Sequence, residues 1–395
     1  MPAAPVITTD HPVPHVSQLP VNKGETINLF VRERDGTQNP AERTAVLMLH
    51  GRSIPVLPGA DLGTGKYNWM MFLADAGYDV FAMDLQGHGR SYRPPVMDDP
   101  RNANPKHQGI VHNGHPLPGP GPDPVQDPRQ LGDSRSDVSE VHTVVEFIKK
   151  RHNLKKVTLM GWSAAAQAFG PYAIRYPENV SSLFLLAPVF PPDGPAALSG
   201  TDWDPPVELP RSTPAETWGF PMNLLSRKGF GDAWAKELGC PGQRDDDIED
   251  KVWAAIMESD TLGRTWGPPT ASGAPQGVLR YRNPFWWGWN KTGAKLHGVL
   301  GDKVPVLIAY GERDQTVQSP AGTVPFLSVT ELYKTIPGAK KLMFKVACAG
   351  HQIPWERASK HVHHLSREWL KHTAIEGHTQ GSFLMDKEGN ITPAP

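Results

Sequence analysis

Apolar residues in this chain fall in short, nearly continuous runs separated by longer amphipathic stretches. TAVLMLHG (44–51), YDVFAMDL (78–85), KVTLMGW (156–162), SLFLLAP (182–188), VPVLIAYG (304–311) and KLMFKVAC (341–348) are the clearest runs. Their length and β-branched content suit strands buried on both faces of a parallel sheet. ETINLFVRE (25–33) alternates instead and predicts an exposed edge strand. Helical patterns lie between the runs, in NWMMFLADAG, SDVSEVHTVVEFIKKRHN, AAAQAFGPYAIRYPEN and ERASKHVHHLSREWLKH. Strands alternating with helices predict an α/β fold with a doubly wound, mostly parallel sheet. Ligands are then expected at the carboxyl ends of the strands.

Two segments break the alternation. Residues 92–132 hold ten prolines without a period and read as a long irregular loop, a length usually reserved for function or disorder. Residues 193–297 carry eight of the twelve tryptophans: Trp203, Trp218, Trp234, Trp253, Trp266, Trp286, Trp287 and Trp289. They read as a mainly helical, Trp-rich cap inserted after a strand. The acidic run DDDIED (245–250) supplies the start of a cap helix containing Val252, Trp253, Ile256 and Met257, where acids complement the helix dipole. The resulting organisation is an extension (1–24), a core in two parts (25–192 and 298–373), the cap (193–297) and a C-terminal extension (374–395) whose GSFLMDKEGNITPAP reads as a short hairpin. No internal repeat is present.

Composition narrows the function. With 395 residues, the chain fits one large domain with insertions, or two domains. Its 40 Lys+Arg balance 41 Asp+Glu, so no global field points to nucleic acid or an anionic membrane. No apolar run approaches the ~20 residues of a membrane-spanning helix. MPAAPVITTDHPVPHVSQLP has neither a basic start nor an apolar stretch of the signal-peptide kind, so a cytoplasmic location is expected, or a secreted one if a leader was removed. Cys240 and Cys348 lie far apart, which argues against a disulfide and mildly for a reducing compartment. Cys348 reads as a small buried apolar residue. His361, His363 and His364 cluster without a carboxylate or cysteine at ligand spacing, so no metal is expected. Oligomeric state is open, a homodimer being one option.

The chemistry centres on VTLMGWSAAAQAFG (157–170). A buried strand ends at Gly161 and a small-residue helix begins at Ala164, so Ser163 sits where a sharp turn lifts a hydroxyl above the sheet edge. Alanine at 165 departs from the Gly-x-Ser-x-Gly pattern and demands more room. Taken alone, the motif serves equally for a helix N-cap serine without chemistry. A catalytic serine needs a base, and the base needs an orienting carboxylate. Asp314 follows the strand 304–311, and His351 follows the strand 341–348. Glu312 and Asp193 are the competing acids.

Ser, Asp and His in that order, each just past a strand, resemble the α/β-hydrolase superfamily, over roughly residues 25–191 and 298–372. His50-Gly51 after a strand matches the family's oxyanion segment, and Asp84, Gly87, Gly89 and Ser91 match its structural Asp-x-x-Gly-x-Gly-x-Ser turn. The resemblance implies Ser163 as nucleophile, His351 as base and Asp314 as its partner. Backbone N–H groups of Ala164 and Arg52 would form the oxyanion hole, with Ser53 a nearby alternative; such donors are worth ~3 kcal/mol each. No cofactor is needed. The activity implied is a serine hydrolase acting on a carboxylic ester or lactone of a bulky, partly aromatic small molecule. Amide or carbon–carbon hydrolysis, or mere binding on the same fold, are the alternatives. Trp162, Ser53 and the cap's Trp286 and Trp287 are candidate substrate contacts. The Arg52 side chain either engages a substrate carboxylate or turns into a surface salt bridge.

Overall fold

The computed structural model describes residues 5–394 apart from 64, 112–123, 197–218, 321 and 324. Ten strands form one sheet: β1 (Ile7–Val16), β2 (Thr26–Asp35), β3 (Ala45–Leu49), β4 (Asp79–Met83), β5 (Val157–Trp162), β6 (Val180–Leu186), β9 (Val306–Gly311), β10 (Lys341–Val346), β11 (Gly381–Met385) and β12 (Ile391–Pro393). Their order is β1-β2-β4-β3-β5-β6-β9-β10-β11-β12. From β4 to β11 the neighbours are parallel, and β1–β2, β2–β4 and β11–β12 are antiparallel. The six apolar runs are the central strands, and β3, β4, β5 and β9 are buried at every position. Helices α2 (Trp69–Asp75), α3 (Ser134–His152), α4 (Ala166–Arg175) and α8 (Ser359–His372) occupy the predicted helical stretches; α3 packs on α4, and α2 on α8. Two short helices, α1 (Val56–Ala60) and α7 (Val329–Thr335), lack a readable period.

Both ends of the sheet are longer than expected. The segment around 25–33 is not an edge strand, because β1 pairs along its whole length. Pro12 and Pro14 within β1 disguise it, but an edge strand tolerates proline. The C-terminal hairpin forms as expected and joins the sheet in parallel through β11.

The described part of 193–297 contains an antiparallel pair, β7 (Met222–Ser226) and β8 (Val278–Arg282), with helices α5 (Arg227–Ala235) and α6 (Ile248–Glu258). The acidic run does open α6, with Glu249 and Asp250 in its first turn. The two irregular segments are built onto each other. Ala103 bridges to Met222, and Asn104 N donates to Met222 O at 2.9 Å. Met97, Ala103, Val111 and Leu131 of the proline-rich loop share a second small core with Met222, Leu224, Trp266 and Val278. Cap tryptophans 234, 253, 266, 287 and 289 are buried; Trp203 and Trp218 lie outside the described residues.

One expectation is overturned. Cys240 and Cys348 form a disulfide, with Cα atoms 5.7 Å apart across 108 residues of sequence. Sequence distance concealed the pair because the cap folds back onto the loop after β10. Cys348 is therefore not a free apolar side chain, and the argument for a reducing compartment lapses, since such bonds persist in oxidising surroundings. The three clustered histidines point apart: His361 bonds Lys387 O, His363 is buried against Trp69 and Phe72, and His364 is exposed. Among the described residues no helix is long and apolar enough to cross a membrane.

Candidate active site

At the end of β5 the chain turns abruptly into a short 3-10 turn (Ser163–Ala165) and then α4. Ser163 takes φ +59°, the left-handed region that a non-glycine residue occupies only when its surroundings hold it there. Val189 N holds it by donating to Ser163 O at 3.0 Å. The alanine at 165 is accommodated by its neighbour: a β-carbon on Gly161 would lie 2.8 Å from Ala165 Cβ and 3.0 Å from Phe169. Gly161 supplies the room that the missing second glycine would have given.

Asp314 and His351 reach this elbow from the ends of β9 and β10, which lie beyond β6 in the sheet. His351 Nε2 lies 2.9 Å from Ser163 Oγ, and His351 Nδ1 lies 2.9 Å from Asp314 Oδ2. All three residues are buried. Asp314 Oδ1 accepts from Thr316 N and Val317 N, which fixes the carboxylate plane. The competing acids lie elsewhere: Asp193 is exposed beside Lys291, and Glu312 accepts from Cys348 N. Burial works to lower the His351 pKa, but the charge and hydrogen bond of Asp314, reinforced by Glu237 and Glu356, raise it above the ordinary histidine value.

Glu237 and Glu356 escaped the sequence reading. Glu237 follows α5 in the cap, is buried, and accepts from His351 N, from Gln315 N at 3.0 Å and from Thr316 Oγ1 at 3.1 Å. Glu356 accepts from Gly350 N, Gln243 Nε2 and Trp234 Nε1. Burial raises the pKa of both, and the charge of Asp314 adds to it at Glu237. Gly350 is squeezed between them; a β-carbon there would sit 2.7 Å from Glu237 and 3.2 Å from Glu356. Neither glutamate belongs to a local motif, so spacing held no signal for them.

The segment after β3 closes the other side. A β-carbon on Gly51 would stand 3.2 Å from Ser163 Cβ. Leu85 N donates to His50 Nε2, so His50 Nδ1 carries the proton and donates to Gly51 O. His88 Nε2 donates to Arg52 O at 2.9 Å. Burial lowers the His50 pKa to about 3 and the His88 pKa well below its usual value, so both rings are neutral. Holding the Gly51 carbonyl on one side turns the Arg52 N–H of the same trans peptide to the other. The Ala164 N–H belongs to the first turn after the elbow, where no intrahelical carbonyl is within reach. The Asp84 turn braces this loop: Asp84 accepts from Val56 N and Arg90 N, and Gly89 at φ +49° lies against its carboxylate.

Trp162 is buried, donates its indole N–H to His351 O at 3.2 Å and meets Trp355 edge-on. Trp286 donates to Asp137 of α3, and Trp287 N receives the Ser134 hydroxyl oxygen as its acceptor. Those two cap tryptophans are thus tied to the start of α3. Ser53 is half-buried beside Arg52, whose side chain is exposed and has no ion pair among the described residues.

A family model described as the alpha/beta hydrolase fold matches residues 44–358, and the chain belongs to that family. No curated protein sequence matches it. Among solved structures it is similar to a serine hydrolase from the polyaromatic hydrocarbon-degrading bacterium Cycloclasticus zankles, at 18% identity over 93% of this chain and 98% of that one, TM-score 0.48. It is also similar to a thermophilic esterase from Thermogutta terrifontis, at 15% identity over 92% and 99%, TM-score 0.48. A third is the 2-hydroxy-6-oxo-6-phenylhexa-2,4-dienoate hydrolase of Rhodococcus sp. strain RHA1, at 17% identity over 92% and 98%, TM-score 0.46.

Proposed function

We propose that the protein is a serine hydrolase that cleaves a carboxylic ester or lactone through an acyl-enzyme on Ser163. The observation that carries this reading is the unbroken relay from Ser163 Oγ through His351 to Asp314, with 2.9 Å at each step, beneath a serine held at φ +59°. His351 takes the hydroxyl proton as Ser163 attacks the acyl carbon, and Asp314 keeps the Nδ1 proton in place and offsets the imidazolium charge. The N–H groups of Ala164 and Arg52 receive the oxyanion. His351 then protonates the leaving group, and water attacks the acyl-enzyme with the same base.

The fold and relay serve amide and carbon–carbon hydrolysis equally, so a panel of ester, lactone and amide substrates assigns the bond. The partly aromatic substrate expected from the cap draws less support, because Trp234, Trp253, Trp266, Trp287 and Trp289 are buried in packing contacts. Arg52, exposed and without an ion pair among the described residues, favours a substrate with an acidic group near the scissile bond over the competing surface salt bridge. For localisation, the disulfide favours an oxidising compartment over the cytoplasm.

A fluorophosphonate probe tests the reading directly. Wild type should label and Ser163→Ala should not; an unlabelled wild type with an intact fold would make this a binding protein on a hydrolase fold.

A further inference from the structure

Within the cap, residues 236–243 lie against the two loops that carry Asp314 and His351. From this stretch Glu237 reaches the two loops that present the base and its acid. One carboxylate oxygen accepts from His351 N; the other accepts from Gln315 N and Thr316 Oγ1, immediately after Asp314. Every partner is a donor, as an ionised carboxylate requires. The stretch is then locked in place. Cys240 is bonded to Cys348, Gln243 Nε2 donates to Glu237 O and Glu356, and Arg357 N donates to Gln243 O.

We propose that Glu237 is a positioning residue for the catalytic base: its carboxylate spans the Asp314 and His351 loops and sets both their separation and the charge behind the imidazole. The inference rests on the serine hydrolase reading above. Glu237 touches no reacting atom and acts through the His351 main chain. Separating the two loops by a fraction of an ångström would lengthen the Asp314–His351 or His351–Ser163 contact, since each loop is anchored to the same carboxylate. The charged groups facing His351 are Asp314, Glu237 and Glu356, all acidic. Of the basic groups nearby, Arg244 pairs with Glu249 and Arg357 with Asp245, while Arg313 lies along Gly239. Removing the Glu237 charge takes away one of the three negative charges that favour the imidazolium, so His351 would give up its proton at lower pH.

The test is the rate of fluorophosphonate labelling against pH for wild type, Ser163→Ala, Glu237→Gln and Glu237→Asp. Glu237→Gln keeps the shape but presents an amide NH₂ to one set of donors. It should label ~10- to 100-fold more slowly, a loss typical of sub-ångström misplacement, with its acid limb moved to lower pH. Glu237→Asp keeps the charge on a shorter arm; it should also label slowly, but with the limb at the wild-type position. A Glu237→Gln enzyme with wild-type rate and limb overturns the proposal. If Glu237→Gln does not fold, as judged by circular dichroism, Glu237→Asp and Thr316→Val decide: slowed labelling supports the proposal and wild-type rates overturn it. Wild type that fails to label removes the Ser163 reading itself, and this inference with it.

Discussion

The two halves of the relay are held in different ways. On the serine side, the groups that fix Ser163 lie close in sequence or at adjacent strand ends: Gly161 under Ala165, Gly51 against Ser163, and His50 and His88 on the backbone of the opposing loop. On the histidine side, the Asp314 and His351 loops are clamped by Glu237, Gln243 and a disulfide from a segment inserted roughly one hundred residues earlier. In the proposed mechanism the nucleophile is a product of local backbone geometry, whereas the base depends on the insertion. At this end the inserted segment helps to hold the Asp314 and His351 loops.

The largest expected effect falls on the histidine side, at the Asp314–His351 pair. Asp314→Asn leaves His351 able to adopt the wrong tautomer and removes the charge that stabilises the imidazolium, so kcat should fall by roughly 10⁴-fold. Glu312→Gln and Asp193→Asn should stay within about twofold of wild type, because neither side chain bonds His351 and exposed substitutions of this kind cost little. The sign of the pH dependence follows from the raised pKa of His351. Only the neutral ring can accept the serine proton, so activity should fall as pH drops through a value above that of an ordinary histidine. In Asp314→Asn the residual activity should show that limb at lower pH. Near-full activity in Asp314→Asn would reassign the acid and dissolve the comparison.

An intermediate effect tests the asymmetry itself. Replacing both Cys240 and Cys348 by serine releases a link spanning 108 residues and should cost about 3 kcal/mol of stability, read as a lower denaturant midpoint. The loss should be uneven. Amide hydrogens around 236–243 and 347–353 should exchange faster in the variant, while those of β5 and the elbow keep their protection. Equal loosening of both sites would show that the serine side also leans on the cap.

That asymmetry also explains what could be read from the sequence. The central strands, the elbow at Ser163 and the emergence of Asp314 and His351 after strands were all legible, because each depends on a periodic apolar run or a short motif whose spacing the backbone dictates. β1 was not, since its two prolines and polar residues carry no strand signal and its pairing partner supplies the order. Glu237, Glu356 and the disulfide were invisible for another reason. Their side-chain contacts join residues 78 or more positions apart, save the local bond of Glu356 to Gly350. Nothing in the local composition of EL or WE marks a glutamate that will be buried against a histidine loop. The mutual packing of the 92–132 loop with the cap was hidden likewise, because neither segment has a period to match against the other.

A smaller loss than these should come from the residue that joins the two halves. Trp162 immediately precedes Ser163, yet its indole N–H is bonded to the carbonyl of His351. Trp162→Phe keeps most of the ring packing against Trp355 and removes that single donor. A buried carbonyl left without its partner costs about 1 kcal/mol, which corresponds to roughly a fivefold loss if the whole penalty falls on the productive arrangement. Because the bond ends on the His351 main chain, kcat should fall with KM unchanged. Combining Trp162→Phe with Glu237→Gln sharpens the point. Both residues hold the same peptide segment of His351, one by its carbonyl and the other by its N–H. Their effects on kcat should therefore depart from simple multiplication, whereas two independent supports would multiply. Strict multiplicativity would mean that the serine strand and the cap hold the histidine separately, and that the division drawn between the two sides runs through the base itself.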